Sequence, residues 1–324
     1  MIRVRHWQGA TVVGPDLDLD GPPPLTLVVD GGELVWLWRT DPAGSLDPAA
    51  TMAGPPLAVL DDLVAAQGWL WALYGRDAAL AVDSGSDDPM PWEPGQPWLP
   101  ALAARAAWGL WWSAWWPASE LDGIPALDAA ALVDDLTALV ERLDVLGGGP
   151  AALLSTVRLP LTIAQADRYA LAAGADDEDG PGLGGALITG STGIAWSDCP
   201  AGWVDASAVA VSWRIVDDLG RWSIRVRVAA GPVTTVDRVS LTARIAGESI
   251  ALRPGRDVWG RCWHGERSGS GWAPAVSEPV RVYLPGFAPE HPGPTGWQES
   301  VRALARGLLG QDPARPWRVG ADDD

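Results

Sequence analysis

The sequence predicts an α+β protein in which a small N-terminal sheet and a helical middle precede an antiparallel β-rich, sandwich-like C-terminal domain that ends in an amphipathic helix. Three observations carry this. Apolar residues follow a strand period over the first forty or so residues, a helical period from Pro55 to Leu146, and a strand period again in the second half. Between the two halves, Gly147-Gly148-Gly149-Pro150 ends a helix and marks a domain boundary. Residues 1–150 therefore read as a strongly acidic sheet-plus-helix domain, and residues 151–324 as a β-rich domain with a helix and an acidic tail.

The N-terminal strands are read at residues 3–13, 25–30 and 33–40, with Asp30-Gly31-Gly32 as a tight hairpin turn. Helices are expected over 57–74, 98–116 and 124–146, separated by the Pro/Gly/Asp-rich run 83–97 and by Pro117. In the last of these, Leu132, Leu136, Leu139, Leu143 and Leu146 alternate four and three apart, as a helix–helix seam requires. Farther on, a short strand is read at 186–189 between glycines, and an antiparallel meander over 209–216, 221–228, 239–245, 257–264 and 280–284. In the second of the meander strands Trp222, Ile224, Val226 and Val228 alternate with Arg221, Ser223, Arg225 and Arg227, the mark of a half-buried strand. Thr295 and Gln298 have capping-box spacing, and Trp297, Val301, Leu304 and Leu308 share one helical face.

Composition narrows the chemistry. The 324 residues carry a formal charge of −18 and a pI near 4.4, so nucleic acid is not an expected partner. There is no Lys and no Asn, and 21 Trp stand against one Phe and three Tyr, a bias that GC-rich codons of a bacterial genome produce without selection for a site. Absence of Lys excludes a pyridoxal-phosphate Schiff base, a Walker-A loop and a protein-kinase centre. Only Cys199 and Cys262 occur, so free thiols in a reducing cytoplasm are expected. The charged start MIRVRHWQGATVVG does not read as a signal peptide, and Pro100 and Arg105 interrupt the most apolar stretch, so no membrane span is expected. No cofactor signature is found: the glycines at 182–185 and 190–193 flank a strand instead of opening a helix.

Several constellations invite chemistry. Asp16, Asp18, Asp20 and Gly21 open like a calcium loop, yet Leu27 stands where its twelfth-position Glu belongs, and a solvated acidic turn explains the same residues. Cys262, His264 and Glu266 project from one face of a strand and offer thiolate, imidazole and carboxylate to a metal or a Cys–His nucleophile. Of the remaining histidines, His291 lies in a Pro/Gly loop, and no G-x-S-x-G elbow accompanies any of them. Trp108, Trp111, Trp112, Trp115 and Trp116 form a helical stripe suited to core packing, to sugar stacking or to a membrane interface.

Charge is unevenly distributed. Residues 1–150 hold 6 Arg and 21 acids, 6 − 21 = −15, whereas residues 211–281 hold 11 Arg and 7 acids, 11 − 7 = +4. Arg214, Arg225, Arg227 and Arg244 alternate with apolar residues and are expected on one outer sheet face, open to an acidic protein partner or covered by the chain's own acidic helices. The sequence therefore points to a non-catalytic interaction or scaffold protein of a cytosolic complex. Its alternatives are a hydrolase or metal-dependent enzyme using Asp16, Asp18 and Asp20 or Cys262, His264 and Glu266, and a Trp-based carbohydrate or small-ligand module.

Overall fold

The computed structural model describes residues 1–7, 10–15, 21–143, 186–218, 220–232, 240–257, 260–276, 278–287 and 296–318. Their contacts group into two units: the described residues of Met1–Trp116, Leu127–Leu159 and Gly296–Asp324, and those of Pro117–Ala126 and Pro160–Thr295. The glycine run at 147–150 lies outside the described residues.

The first unit opens with β1 (Arg3–Trp7) and β2 (Ala10–Gly14), a hairpin in which Arg3 faces Gly14 and Trp7 faces Ala10, where the sequence reading had one strand. A second hairpin joins β3 (Leu25–Val29) to β4 (Gly32–Trp36) through Asp30 and Gly31, the latter at φ +73°. Such a turn needs positive φ, which glycine supplies without steric cost. Between the hairpins lies β5 (Leu57–Leu60), paired with both β2 and β4, so the antiparallel order is β1-β2-β5-β4-β3. This corrects the helix expected over 57–74. Its first four residues, Leu57-Ala58-Val59-Leu60, form a short apolar run of the kind that periodicity alone cannot assign, and burial inside the sheet decides it. Helix α2 (Leu63–Tyr74) starts only after Asp62, whose carboxylate accepts from the Val64 and Ala65 amides at 2.9 and 3.1 Å.

Two further helices were not read from the sequence: α1 (Pro48–Ala53), capped by Asp47, and α3 (Arg76–Ser84). Helix α4 (Leu99–Trp115) carries the tryptophan stripe and packs against β3, α1, α2 and the following helix α5 (Ala129–Arg142). At the α4–α5 crossing a Cβ on Gly109 would lie 2.8 Å from a Leu136 methyl, so a side chain there would force Leu136 to shift. Leu132, Leu136 and Leu143 are buried there as the seam requires, with Val140 taking the place expected for Leu139; Leu146 lies outside the described residues.

The stripe is internal. Trp108, Trp111, Trp112 and Trp116 are buried, and Trp38 meets Trp108 and Trp111 edge-on with centroids 5.8 and 5.0 Å apart. Indole N–H groups find backbone acceptors: Trp108 donates to Trp317 O at 2.7 Å, and Trp111 and Trp38 both donate to Pro23 O, at 2.7 and 2.9 Å. Trp115 stands edge-on to Trp297, 5.7 Å away, at the start of α6 (Gln298–Gln311). That helix buries Val301, Ala305 and Leu308 and has Trp297 at its N-cap position with no side-chain cap hydrogen bond; Thr295, the other member of the expected capping box, lies outside the described residues. Beyond α6 the chain is fastened to α5 by Asp135. Its carboxylate accepts from Arg315 Nη1 at 3.1 Å, Trp317 Nε1 at 2.9 Å and Arg318 Nη2 at 2.6 Å.

The second unit is a seven-stranded, wholly antiparallel sheet in the order β12-β9-β10-β11-β8-β7-β6. Its strands are β6 (Ala186–Thr192), β7 (Val211–Asp218), β8 (Arg221–Ala229), β9 (Leu241–Ile245), β10 (Glu248–Asp257), β11 (Gly260–Ser270) and β12 (Arg281–Tyr283). The β-rich, sandwich-like half thus takes the form of one continuous sheet. One side carries its core: Ile215, Ile224, Val226, Val228, Leu252 and Trp263 are all buried. Strand β10 is absent from the sequence reading because Arg253-Pro254-Gly255-Arg256-Asp257 has the composition of a turn. It stays extended because β9 pairs only Glu248–Leu252, so Pro254 falls where that neighbour has ended.

Two measurements test these contacts. Replacing Trp112, which has no exposed surface, with Ala should cost roughly 3–5 kcal/mol, whereas Trp272→Ala, at a side chain 97% exposed, should leave the melting temperature unchanged. Burial raises the Asp135 pKa, but hydrogen bonds from Arg318 and Trp317 and the charges of Arg318 and Arg315 outweigh it and hold the group below its ordinary value. Stability linked to Asp135 is therefore complete above the unfolded-state pKa and is lost as pH falls through it towards the folded value. Asp135→Asn should lower the melting temperature at pH 7, and the gap to the parent protein should close as pH falls below about 4.

Candidate functional site

The side of the seven-stranded sheet opposite its core is built by register. Arg214 on β7 lies opposite Arg225 on β8, and Arg225 lies opposite Glu266 on β11. One step along, Arg227 faces His264, which in turn faces Arg253 on β10. Ser249, on the same side of β10 as Arg253, faces Arg244 on β9, and Arg244 faces Arg281 on β12. The four arginines read from the sequence thus share one sheet face. Arg214, Arg225 and Arg227 are close neighbours, and Arg244 stands three strands from β8, about 14 Å away at the usual strand spacing. Sequence reasoning missed Arg253, which sits between the two groups, because its strand was not recognised.

Electrostatics sort these cations. Arg225 makes an exposed ion pair with Glu266 at 3.2 Å, the two side chains 52% and 46% exposed. Arg227 grips Asp257 through two guanidinium nitrogens, and that bond raises the Arg227 pKa above its ordinary value. Among the described residues, Arg225 and Arg227 thus meet acids of their own sheet. Arg281 donates from Nε and Nη2 to the fully buried carboxylate of Asp198 at 2.7 and 3.2 Å, and its guanidinium lies 5.3 Å from the Tyr283 ring centre. It is thereby committed to the fold. Arg244 and Arg253 are exposed and make no ion pair or hydrogen bond among the described residues.

Cys262, His264 and Glu266 leave the strand on one side, each in different surroundings. Cys262 is buried, the His264 ring lies over Gly255, and Glu266 is exposed and paired with Arg225. Among the described residues no group of three or more His, Cys, Asp or Glu side chains is arranged to hold a metal ion. Burial and then the nearby Asp257 charge push the Cys262 thiol up, so it is protonated at neutral pH and a poor nucleophile. Burial likewise pushes Cys199 up to about 12. Asp16, Asp18 and Asp20, and His291, lie outside the described residues. Trp108, Trp111, Trp112 and Trp116 of the α4 stripe are buried, and Trp115 is half-buried against Trp297.

A buried carboxylate was also not foreseen. Asp205 accepts from Ser119 Oγ at 2.7 Å and from the Glu120 and Ser207 amides at 2.8 and 2.9 Å, tying residues 117–126 to the rest of the second unit. No helix among the described residues is long and apolar enough to cross a membrane.

Both cysteines are unbridged. Alkylation under denaturing, non-reducing conditions should therefore label Cys199 and Cys262 fully, while in the folded protein Cys199 should resist the reagent; failure to label after denaturation would contradict the free-thiol assignment.

Comparison of the chain with protein-family models, with curated protein sequences and with solved structures finds no match.

Proposed function

We propose that the chain is a non-catalytic interaction module, an accessory or scaffold component of a bacterial cytosolic complex, whose arginine-bearing sheet face docks an acidic protein partner. The reading is supported by one observation above all. A single exposed sheet face gathers Arg214, Arg225, Arg227, Arg244 and Arg253 in a chain whose overall charge is −18. Guanidinium forks favour carboxylates, and Arg is over-represented among residues that dominate interfaces. The exposed Arg225–Glu266 pair contributes only about 0–1 kcal/mol, so a partner carboxylate replaces Glu266 at little cost.

Arg244 and Arg253 allow a clean test because no ion pair among the described residues is lost on changing them. The double variant Arg244→Glu/Arg253→Glu should keep the parent circular dichroism and melting temperature. In a pull-down from the native host it should lose a partner that the parent protein retains, since like charges at an interface cost several kcal/mol. Equal recovery of every bound protein by the two chains would contradict the proposal. Changing Arg227 as well should lower the melting temperature modestly, through its contact with Asp257.

A further inference from the structure

A separate feature of the first unit points to a small-molecule site. Between α4, α5 and the segment after α6 lies a cavity of about 190 Å³, open on one side. Its apolar wall is Trp108, Leu132, Leu136 and Leu139, and its polar rim is Arg105, Arg142, Asp135 and Arg318. Asp135 and Arg318 are occupied with each other, and Asp135 also takes up Trp317 and Arg315. Trp108 spends its N–H on Trp317 O. Arg105 and Arg142 are different: among the described residues neither has an ion pair or a hydrogen bond. Arg105 is also half-buried on a helix of Leu, Ala and Trp, where an unpaired guanidinium is costly unless something answers its charge.

We infer that this cavity binds a small organic monocarboxylate with an apolar, ring-sized body. Size and charge both select that class. An apolar cavity of about 150 Å³ accommodates benzene, so the volume here holds one such ring with a small head group. A planar carboxylate matches the guanidinium fork in two parallel hydrogen bonds. Inorganic phosphate matches the forks too, but leaves the wall of Trp108 and the leucines unused and keeps its strong hydration.

Calorimetric titration of the full chain with benzoate tests this, with benzyl alcohol as the neutral analogue and inorganic phosphate as the purely anionic one. Benzoate should bind saturably, one per chain, and both analogues at least about tenfold more weakly, the loss expected for one charged contact or for the buried ring. Arg105→Gln and Arg142→Gln should each weaken benzoate by a similar factor, while Arg76→Gln, an exposed arginine on α3, should not. Arg142 sits at the exposed end of α5, so its variant is expected to fold even if that of Arg105 does not. No saturable benzoate binding at millimolar concentration would overturn the inference. So would benzyl alcohol or phosphate binding as tightly as benzoate, or binding unchanged in the folded Arg142→Gln chain.

Discussion

The constraint on which the second unit depends is the two-residue period of a strand combined with antiparallel register. Once Ile224, Val226 and Val228 are committed to the core, Arg225 and Arg227 have only the other side to occupy. Register then carries the choice across the sheet. Glu266 and His264 on β11, Arg253 on β10, Arg244 on β9 and Arg214 on β7 all emerge on the face that Arg225 selects. A one-residue slip of β7, β8, β9 or β10 would turn Arg214, Arg225, Arg244 or Arg253 towards the apolar layer, so the hydrophobic core and the charged surface are two consequences of the same pairing. The pairs of Arg225 with Glu266 and Arg227 with Asp257 moderate the repulsion that a dense row of cations otherwise creates.

In the first unit the corresponding constraint is the tryptophan-lined α4. Large indoles bury extensive apolar surface but each brings an N–H that needs an acceptor. Carbonyls of Pro23 and Trp317 supply three of these, which also pins the strand-entry loop and the segment after α6 against the helix. Trp36, Trp112 and Trp263 bury N–H groups that have no partner among the described residues, a cost that packing must outweigh. Buried or half-buried carboxylates perform the other fastenings: Asp135 holds the chain after α6, Asp198 holds Arg281, and Asp205 holds residues 117–126. Many of the chain's abundant acids remain solvated, but these three act as local anchors.

Periodicity made much of this legible. Helix α4, strand β8, the arginine alternation and the apolar face of α6 follow directly from spacing, because each is long enough to show its period. What was not legible had specific causes. β5 is four apolar residues, too short to distinguish from a helical turn, and its identity comes from neighbours distant in sequence. β10 is disguised by Pro254 and Gly255, a pair that reads as a turn unless one knows that β9 stops at Leu241, opposite Leu252, and that the His264 ring needs the space above Gly255. The fastening roles of Asp135, Asp198 and Asp205 depend on partners up to 183 residues away, which no local pattern encodes. For the same reason Arg105 and Arg142, which have no ion pair or hydrogen bond among the described residues, became visible only when their neighbours were known to be spoken for.

The central claim is that the arginine face of the sheet is accessible at Arg225, Arg244 and Arg253. Arginine footprinting measures this directly, by treating the folded chain with phenylglyoxal and following modification residue by residue with mass spectrometry. The account predicts that Arg225, Arg244 and Arg253 react rapidly, while Arg302, only 6% exposed, stays protected until the chain is unfolded. If Arg244 and Arg253 react as slowly as Arg302, the face is covered and the account is contradicted.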